Sequence, residues 1–253
     1  MAGHSHSANI KFRKDRVDAA RAKAFSKVAR LITVAAKMGG GDIASNPRLR
    51  LAVEKARIAN MPKDNVDRAI KKGTGEGDVG QFEEIVYEAY GPCGVAVMLD
   101  VLTDNRNRTG PEIRKLFERS GGNLGSSGSV AYMFERKSVF VVEGGVEFGE
   151  DRLMEATIEA GADDLVAVGD TFEIQGPPGE FLSIKEGLEA AQVPLMRAEV
   201  TMIPQTTVQL ESADDARKIL KLLAGLEEHD DVQGVSANYE IDDAIMAEIG
   251  EEL

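Results

Sequence analysis

Lysine and arginine side chains recur along one side of a helix near the start of this 253-residue chain. Between residues 15 and 38 the apolar residues return every three or four positions, which is the period of an amphipathic helix. At about 100° per residue the cations lie opposite the apolar side, within a sector of roughly 80°. They are Arg16, Lys23, Lys27, Arg30 and Lys37. A row of positive charges at this spacing suits a chain of phosphate groups.

The charge of the chain is divided between its two ends. Residues 1–72 hold 17 Lys and Arg against 6 Asp and Glu, whereas residues 73–253 hold 13 against 37. The formal net charge of −13 therefore conceals a basic segment that acts locally, because cellular salt screens charges beyond about 10 Å. The segment is expected to bind a polyanion, and the acidic remainder is expected to repel one.

Two further helices and an arm complete the basic segment. Asn46 followed by Pro47 predicts the start of a second helix that runs to about Asn60, and a third helix is expected from about Pro62 to Gly73. The second helix adds four cations, Arg48, Arg50, Lys55 and Arg57. Residues 1–14 form an extended polar stretch that is typical of a flexible basic arm. Contacts to phosphate, with little base readout, are the expected chemistry.

Residues 73–80 read GTGEGDVG and are expected to be a flexible linker that lets the basic segment move. They contain a G-x-G-x-x-G match at Gly75, Gly77 and Gly80. A dinucleotide site needs a strand before this motif and a helix after it, whereas a helix precedes and a strand follows here. The sequence therefore predicts no cofactor.

Two loops of the acidic part each allow two interpretations, anion binding or a purely structural role. Arg106 and Arg108 stand just before a helix that the capping-box spacing of Thr109 and Glu112 predicts. They could bind an anion there, or the segment could be a polar turn. Residues 121–128, a glycine-rich loop, could cradle phosphate through their amides, although a tight packed loop is the favoured interpretation.

The acidic part is expected to form two α+β domains. Residues 135–204 alternate in β-α-β-β-α-β order, the ferredoxin-like pattern of two helices on one antiparallel sheet. Residues 81–134 and 205–243 would form a second ferredoxin-like unit into which the first is inserted, and 244–253 would be an acidic tail. One strand of this second unit is expected over residues 129–134. The predicted fold is therefore a multi-domain α+β protein with an N-terminal three-helix domain at 1–72.

Other classes of chemistry are poorly supported. Cys93 is the only cysteine and there are three histidines, so neither a disulfide within the chain nor a thiolate zinc site is expected. Pairs of carboxylates, such as Asp163 with Asp164 and Asp230 with Asp231, fall in loops or helix starts, where acids serve as caps and as solubilising charge. We therefore expect no resident metal and no enzymatic activity. Without an apolar span or secretory signal, a soluble cytoplasmic protein is expected.

Several motifs together resemble the YebC/PmpR family of gene-expression regulators, from end to end. They include MAGHS, ANIKFRK, GGGDIASNPRLRLAVEKA, NMPKDNVDRAIKKG, TDNRNRT and GGNLGSSGSVAYMF. The family pattern near the start is H-S-K-W-A-N-I-K-H, from which this chain departs at His6, Ser7 and Phe12. The positions that match and are expected to contact nucleic acid are His4, Ser5, Asn9, Lys11, Arg13 and Lys14.

The resemblance implies a helical N-terminal domain followed by two α+β domains, one inserted in the other. It implies a non-enzymatic, nucleic-acid-binding regulator, named in most members a DNA-binding transcriptional regulator. Other members resemble translation factors that bind the large ribosomal subunit, including mitochondrial activators of the synthesis of cytochrome oxidase subunit I. The expected partner is thus DNA or ribosomal RNA, with ribosomal proteins or transcription machinery as possible partners of the acidic body and no membrane.

Overall fold

The computed structural model describes residues 17–76, 80–143, 150–168 and 171–250, and the side chains of 23–75, 80–143, 150–167 and 171–250. Its helices are α1 (Val17–Gly39), α2 (Pro47–Ile58), α3 (Lys63–Lys71), α4 (Arg106–Arg119), α5 (Glu150–Glu159), α6 (Phe181–Ala190), α7 (Ala213–Glu228) and α8 (Asp243–Gly250). Its strands are β1 (Glu83–Tyr90), β2 (Ala96–Thr103), β3 (Asn123–Leu124), β4 (Phe134–Glu143), β5 (Asp164–Val168), β6 (Thr171–Gly176), β7 (Leu195–Pro204), β8 (Val208–Leu210), β9 (Val232–Ala237) and β10 (Tyr239–Ile241).

The first three helices pack together and form what we call the N-terminal module, residues 17–76. The Asn46 side chain caps α2 by accepting a hydrogen bond from the Leu49 amide at 3.0 Å, as the Asn-Pro pair predicted. The apolar side of α1 contributes Ile32 and Ala35 to a core that also buries Leu49 of α2. The three predicted helices are confirmed, and each owes its position to this shared core.

The segment after α3 is more ordered than a flexible linker. Residues Lys72–Glu76 form a further helical turn, and Gly73 is buried against α1. A Cβ atom at Gly73 would lie 2.4 Å from the carbonyl oxygen of Thr33, so only glycine fits this contact. Gly73, at the start of the expected linker, is therefore fixed against α1, and the assignment of residues 73–80 as a linker stays a prediction. Gly77, in the middle of the G-x-G-x-x-G match, lies outside the described residues.

The first sheet has the strand order β3-β1-β2-β9, with each neighbouring pair antiparallel. Helices α4 and α7 cover one face of this sheet. Phe117 of α4 and Leu226 of α7 are fully buried there against Leu99 of β2. Burial of a side chain of this size stabilises the fold by about 1.5–3 kcal/mol. The C-terminal helix α8 joins the same core through Ile249, so most of the residues assigned to an acidic tail are helical and packed on the body.

The second sheet has the order β5-β6-β4-β7 and is covered by α5 and α6. This is the strand order of a ferredoxin-like unit, and it agrees with the predicted β-α-β-β-α-β pattern. Phe140 of β4 and Phe181 of α6 stack with ring centroids 5.3 Å apart at its centre. The α+β class with an N-terminal helical region and antiparallel sheets is confirmed.

Two local expectations differ from the structure. A strand was expected over residues 129–134, but Ala131–Met133 form a 3₁₀ turn and β4 begins at Phe134. Helix α4 begins at Arg106, three residues before Thr109, because the Asn105 side chain caps it by accepting from the Arg108 amide at 3.1 Å. The capping-box interpretation of Thr109 is thus wrong. The domain boundaries given above stay a prediction.

Candidate nucleic-acid interface

Three of the predicted α1 cations, Lys23, Lys27 and Arg30, point toward the first sheet unit. We call them the inner cations. They lie four and three residues apart on α1, so they share one side of the helix. Opposite them is the turn between α7 and β9, residues 227–232, which we call the acidic corner. Three of the five residues of the predicted cationic stripe therefore share one side of α1, and in this conformation they face the body of the protein.

Lys27 is held by backbone oxygens of the acidic corner. Its Nζ atom donates to the carbonyl oxygens of Glu227 and Val232, each at 2.6 Å. The Glu227 carbonyl lies in the last turn of α7, where the helix dipole presents partial negative charge. Burial, reinforced by the positive charge of Lys23, lowers the pKa of Lys27 from 10.5 to about 8. The contact thus holds a cation partly removed from water.

Arg30 enters the acidic corner most deeply, with a side chain that is 26 % exposed. Its Nη1 atom donates to Oδ1 of Asp231 at 2.6 Å and to the carbonyl oxygen of Asp230 at 3.2 Å. Its guanidinium also lies 5.7 Å from the ring centroid of Phe82, within the range of a cation–π contact. Arg30 therefore combines an ion pair with a ring contact at the base of the first sheet.

Asp231 is a hub of hydrogen bonds, and its side chain is only 3 % exposed. Its Oδ2 atom accepts from Thr109 at 2.6 Å, from Arg108 at 2.8 Å and from Thr103 at 3.0 Å. Burial alone would raise the pKa of Asp231, but the hydrogen bonds from these residues and from Arg30 outweigh it and lower the pKa to about 2. Asp231 is accordingly a carboxylate at every physiological pH.

Lys23 makes the outermost of these contacts. Its Nζ atom lies 3.2 Å from Oδ1 of Asp230, and the two side chains are 43 % and 71 % exposed. An ion pair this open to solvent contributes about 0.2–1 kcal/mol at most. We call the contacts of Lys23, Lys27 and Arg30 with the acidic corner the latch. Its contacts become weaker from Arg30, whose side chain is 26 % exposed, to Lys23, whose side chain is 43 % exposed.

A second contact joins the module to the other sheet unit. Leu51 of α2 packs against the core under the second sheet. Close to it, Oε1 of Glu54 lies 2.9 Å from Nζ of Lys185 on α6. Lys185 also pairs with Glu189 on its own helix, one turn further on. The module therefore contacts both sheet units, each time through a polar pair.

The remaining predicted cations of the module are distributed over several contacts. Lys37 donates to the carbonyl oxygen of Gly80 at 3.2 Å, and Arg48 pairs with Glu84. Arg50 donates to the Ala44 carbonyl oxygen at 2.6 Å within its own module. Arg57 pairs with Glu54 at 3.1 Å. Lys55 is exposed, with no polar contact among the described residues.

Arg106 and Arg108 have separate roles although both were assigned to one anion site. Arg108 is committed to Asp231 and to Asp104, at 2.8 and 3.1 Å. Arg106, at the first position of α4, is exposed. The polar-turn interpretation thus accounts for Arg108, and only Arg106 stays open. The predicted contacts His4, Ser5, Asn9, Lys11, Arg13, Lys14 and Arg16 lie outside the described residues.

The glycine-rich loop at 121–128 holds a carboxylate of the protein itself. Oε2 of Glu88 accepts from the amides of Val130 and Ala131 at 2.8 and 2.9 Å, and Oε1 accepts from the Gly128 amide at 2.6 Å. Burial would raise the pKa of Glu88, but these amide bonds lower it. Of these three amides only that of Gly128 lies in the loop itself. Three further amides of the loop, those of Gly121, Gly122 and Gly125, donate to backbone carbonyl oxygens of the protein, as expected for the tight packed loop that was favoured.

Sequence reasoning missed two features of this region. The first is a set of cations on α3 and the following turn, Lys63, Lys71 and Lys72, which are exposed and contact no acid among the described residues. Together with Lys55 we call them the outer cations. The second is the acidic corner, because Asp230 and Asp231 had been assigned to solubilising charge. The available signal was charge complementarity between a +11 segment and an acidic remainder.

The described parts of the chain hold no cluster of three or more His, Cys, Asp and Glu side chains suited to a metal ion. None of the helices within these parts is both long and apolar enough to cross a membrane.

Comparison with known proteins matches nearly the whole chain. The family model described as the TACO1/YebC protein N-terminal domain matches residues 5–76, and the one described as the TACO1/YebC second and third domain matches residues 82–239. A protein of Pelotomaculum thermopropionicum is 54% identical over 244 residues, covering 96% of this chain and all of its own length. One of Natranaerobius thermophilus is 52% identical, covering 97% of this chain and 99% of its own. Both are named probable transcriptional regulatory proteins.

A solved structure also matches. The crystal structure of a conserved hypothetical protein from Aquifex aeolicus superposes with a TM-score of 0.80 at 50% identity. The match covers 90% of this chain and 93% of that one. The arrangement of helices and sheets described above is thus shared with a relative at high sequence identity.

Proposed function

The chain belongs to the TACO1/YebC family, and on that premise we propose that it is a regulator of gene expression that binds nucleic acid through its N-terminal module. Its relatives are named probable transcriptional regulatory proteins. These names are of a regulator and not of an enzyme, in agreement with the expected non-enzymatic role.

The observation that carries the proposal is the concentration of exposed cations on the module. The outer cations Lys55, Lys63, Lys71 and Lys72 project to solvent from α2, α3 and the turn that follows. Few acids share this surface, whereas the rest of the chain is strongly acidic. A phosphate backbone that meets such a surface releases counterions, which is the main source of affinity in sequence-independent binding.

The primary assignment is a DNA-binding transcriptional regulator. The outer cations would position the module on the phosphates of a duplex, and the N-terminal arm at 1–14 would add the base or groove contacts that give sequence preference. Arg106 at the start of α4 would extend this surface onto the body. The binding step needs no cofactor.

A ribosome-associated translation factor is the second candidate, and one observation favours it. The long helix α1 turns its cationic side toward the acidic corner, so it is not presented to a major groove as a recognition helix would be. The exposed cations lie instead on two short helices, an arrangement suited to shape and backbone recognition of structured RNA. The large ribosomal subunit offers such a surface.

Competition binding at fixed salt tests both candidates. If the protein is a DNA-binding transcriptional regulator, a fluorescein-labelled duplex that carries the promoter of a regulated gene should be displaced less well by shuffled duplex than by the unlabelled promoter duplex. Cosedimentation with the large ribosomal subunit, with no promoter preference, would support the second. In either case, replacing all four outer cations by Glu should remove binding.

The matched control reverses four exposed cations of the body, Arg114, Lys115, Arg119 and Lys221, to Glu. It changes the net charge by the same amount as the outer-cation variant. If both variants lose the same affinity, or if neither does, the module is not the binding surface and the proposal fails.

A further inference from the structure

The latch joins the N-terminal module to the first sheet unit. Each of these two parts keeps its own internal contacts when the latch opens. Asp231 keeps its bonds from Thr103, Thr109 and Arg108 when Arg30 is removed, because these three residues lie in the first sheet unit. The apolar side of α1 stays in the core of the module with Ile32 and Ala35. Opening the latch would therefore leave no buried orphan carboxylate and would not expose the core of the module itself.

The second contact of the module has the same property. Lys185 keeps Glu189 when Glu54 leaves, and Glu54 keeps Arg57. The polar pairs at both contacts are thus backed by partners on their own side. Leu51 adds an apolar side chain to the second contact, whereas the other contacts of the module described above are polar. Interfaces more polar than a domain core are expected to open and close.

The acidic corner presents the inner cations with the kind of acceptors that a phosphate backbone presents. It offers two carboxylates, of Asp230 and Asp231, and three carbonyl oxygens, of Glu227, Asp230 and Val232. A nucleic acid approaching the module brings the same negative oxygens at closely repeated spacing. The inner cations cannot bind the acidic corner and a phosphate backbone at the same time.

We call the conformation in which the latch is formed the closed state. Its central contact, that of Lys27 with the acidic corner, does not strongly favour it. Lys27 gives up much of its hydration in the closed state, which is why its pKa is lowered to about 8. The Lys23–Asp230 pair is exposed and weak. Release of α1 returns Lys27 to water or to a phosphate, so the latch can be displaced by a polyanion.

We propose that the acidic corner is an autoinhibitory surface that withholds Lys23, Lys27 and Arg30 from nucleic acid, and that a bound phosphate backbone displaces it. This inference rests on the proposed function. The outer cations make the first contact, since the closed state leaves them exposed. Opening then adds the inner cations to the interface, and the acidic corner disfavours weak or transient ligands that cannot displace it.

Asp230 is the residue on which to test the latch, because it is 71 % exposed and outside the buried hub of Asp231. The substitution Asp230→Lys removes the pair with Lys23 and repels all three inner cations. The matched control is Glu118→Lys, an exposed position near the far end of α4 that changes the net charge equally. Both full-length proteins are compared with the wild type by thermal unfolding and by fluorescence anisotropy, with labelled duplex DNA and duplex RNA as probes.

The expected result is that Asp230→Lys binds about fivefold more tightly than Glu118→Lys at equal salt, because weakening the closed state raises the binding-competent fraction. Equal affinities of the two variants, with wild-type binding intact, would overturn the inference and leave the proposed function standing. Absence of binding by all three proteins to both probes would overturn both.

Discussion

The inner and outer cations belong to the same three-helix module, yet they have opposite environments. Lys23, Lys27 and Arg30 are paired with the acidic corner, whereas Lys55, Lys63, Lys71 and Lys72 project to solvent. Both groups are long cationic side chains of the same basic segment. The difference arises from the body, which meets one side of the module and leaves the other exposed. A cationic stripe thus identifies a surface that attracts anions but not which anion occupies it.

Among the changes that act on the latch, the largest expected effect comes from reversing all three inner cations to Glu. Affinity for duplex DNA or RNA should fall by about hundredfold or more, since three phosphate contacts are replaced by three repulsive charges. Helix content should change little, because these side chains lie away from the apolar side of α1. Filter retention and circular dichroism measure the two quantities. Unchanged retention would show that the inner cations serve only to dock the module.

A large effect on stability is expected from Asp231→Asn. The change leaves Arg30 and Arg108 facing a neutral amide, and it removes the charge that three hydroxyl and guanidinium donors stabilise on Oδ2. We expect a loss of about 2–4 kcal/mol in the free energy of unfolding. Asp230→Asn, one residue earlier and exposed, should lose less than about 1 kcal/mol. Chemical denaturation of both variants measures this contrast, and equal losses would contradict the hub at Asp231.

Lowering the pH should remove the contribution of Asp231 to the free energy of unfolding over a defined pH range. Because its pKa is lowered from 3.8 to about 2 in the folded protein, the unfolded chain binds the proton more readily. The stability that Asp231 provides is therefore complete above about pH 4 and is lost as pH falls through 2. Melting temperatures of wild type and Asp231→Asn should converge over this range. A difference that stays constant down to pH 2 would contradict the lowered pKa.

The smallest effect is expected at alkaline pH and acts on the latch. Lys27 faces Lys23 and Arg30 on its own helix, Glu227 on α7 and Asp230 in the turn, and its pKa is about 8 in the closed state. Between about pH 8 and 10 the open state therefore holds a proton that the closed state lacks. Raising pH then favours the closed state and should reduce nucleic-acid affinity severalfold.

A Lys27→Met variant provides the control for this pH dependence. It keeps an unbranched side chain without a titratable group, so its affinity should vary less between pH 7 and 9.5. Anisotropy titrations of both proteins at constant ionic strength make the comparison. An identical pH profile for the two proteins would assign the dependence to other lysines and contradict the role of Lys27.

Local patterns predicted the elements of the fold well. The apolar period of α1 and the Asn46–Pro47 pair identified the module, and strand alternation identified the ferredoxin-like order of the second sheet unit. Errors arose where a tertiary contact decides the structure. Thr109 had the spacing of a cap but is drawn into the hub of Asp231, and Asn105 caps α4 instead.

The charged contacts of the candidate site were also only partly predictable from local sequence patterns. Charge per segment separated the basic module from the acidic body, and this division is visible in the structure. The pairing of Arg30 with Asp231 joins residues 201 positions apart, so no local window contains it. The role of the glycine-rich loop was likewise fixed by Glu88, a residue 40 positions earlier than Gly128.

Hydrogen exchange of the full-length protein, with and without saturating duplex DNA or large-subunit ribosomal RNA, tests the central claim most directly. The ligand-bound protein should show slower exchange across residues 55–72, where the outer cations lie. It should show faster exchange at residues 227–232, because the acidic corner loses the inner cations. Slower exchange confined to the acidic body, with residues 55–72 unchanged, would contradict binding through the N-terminal module.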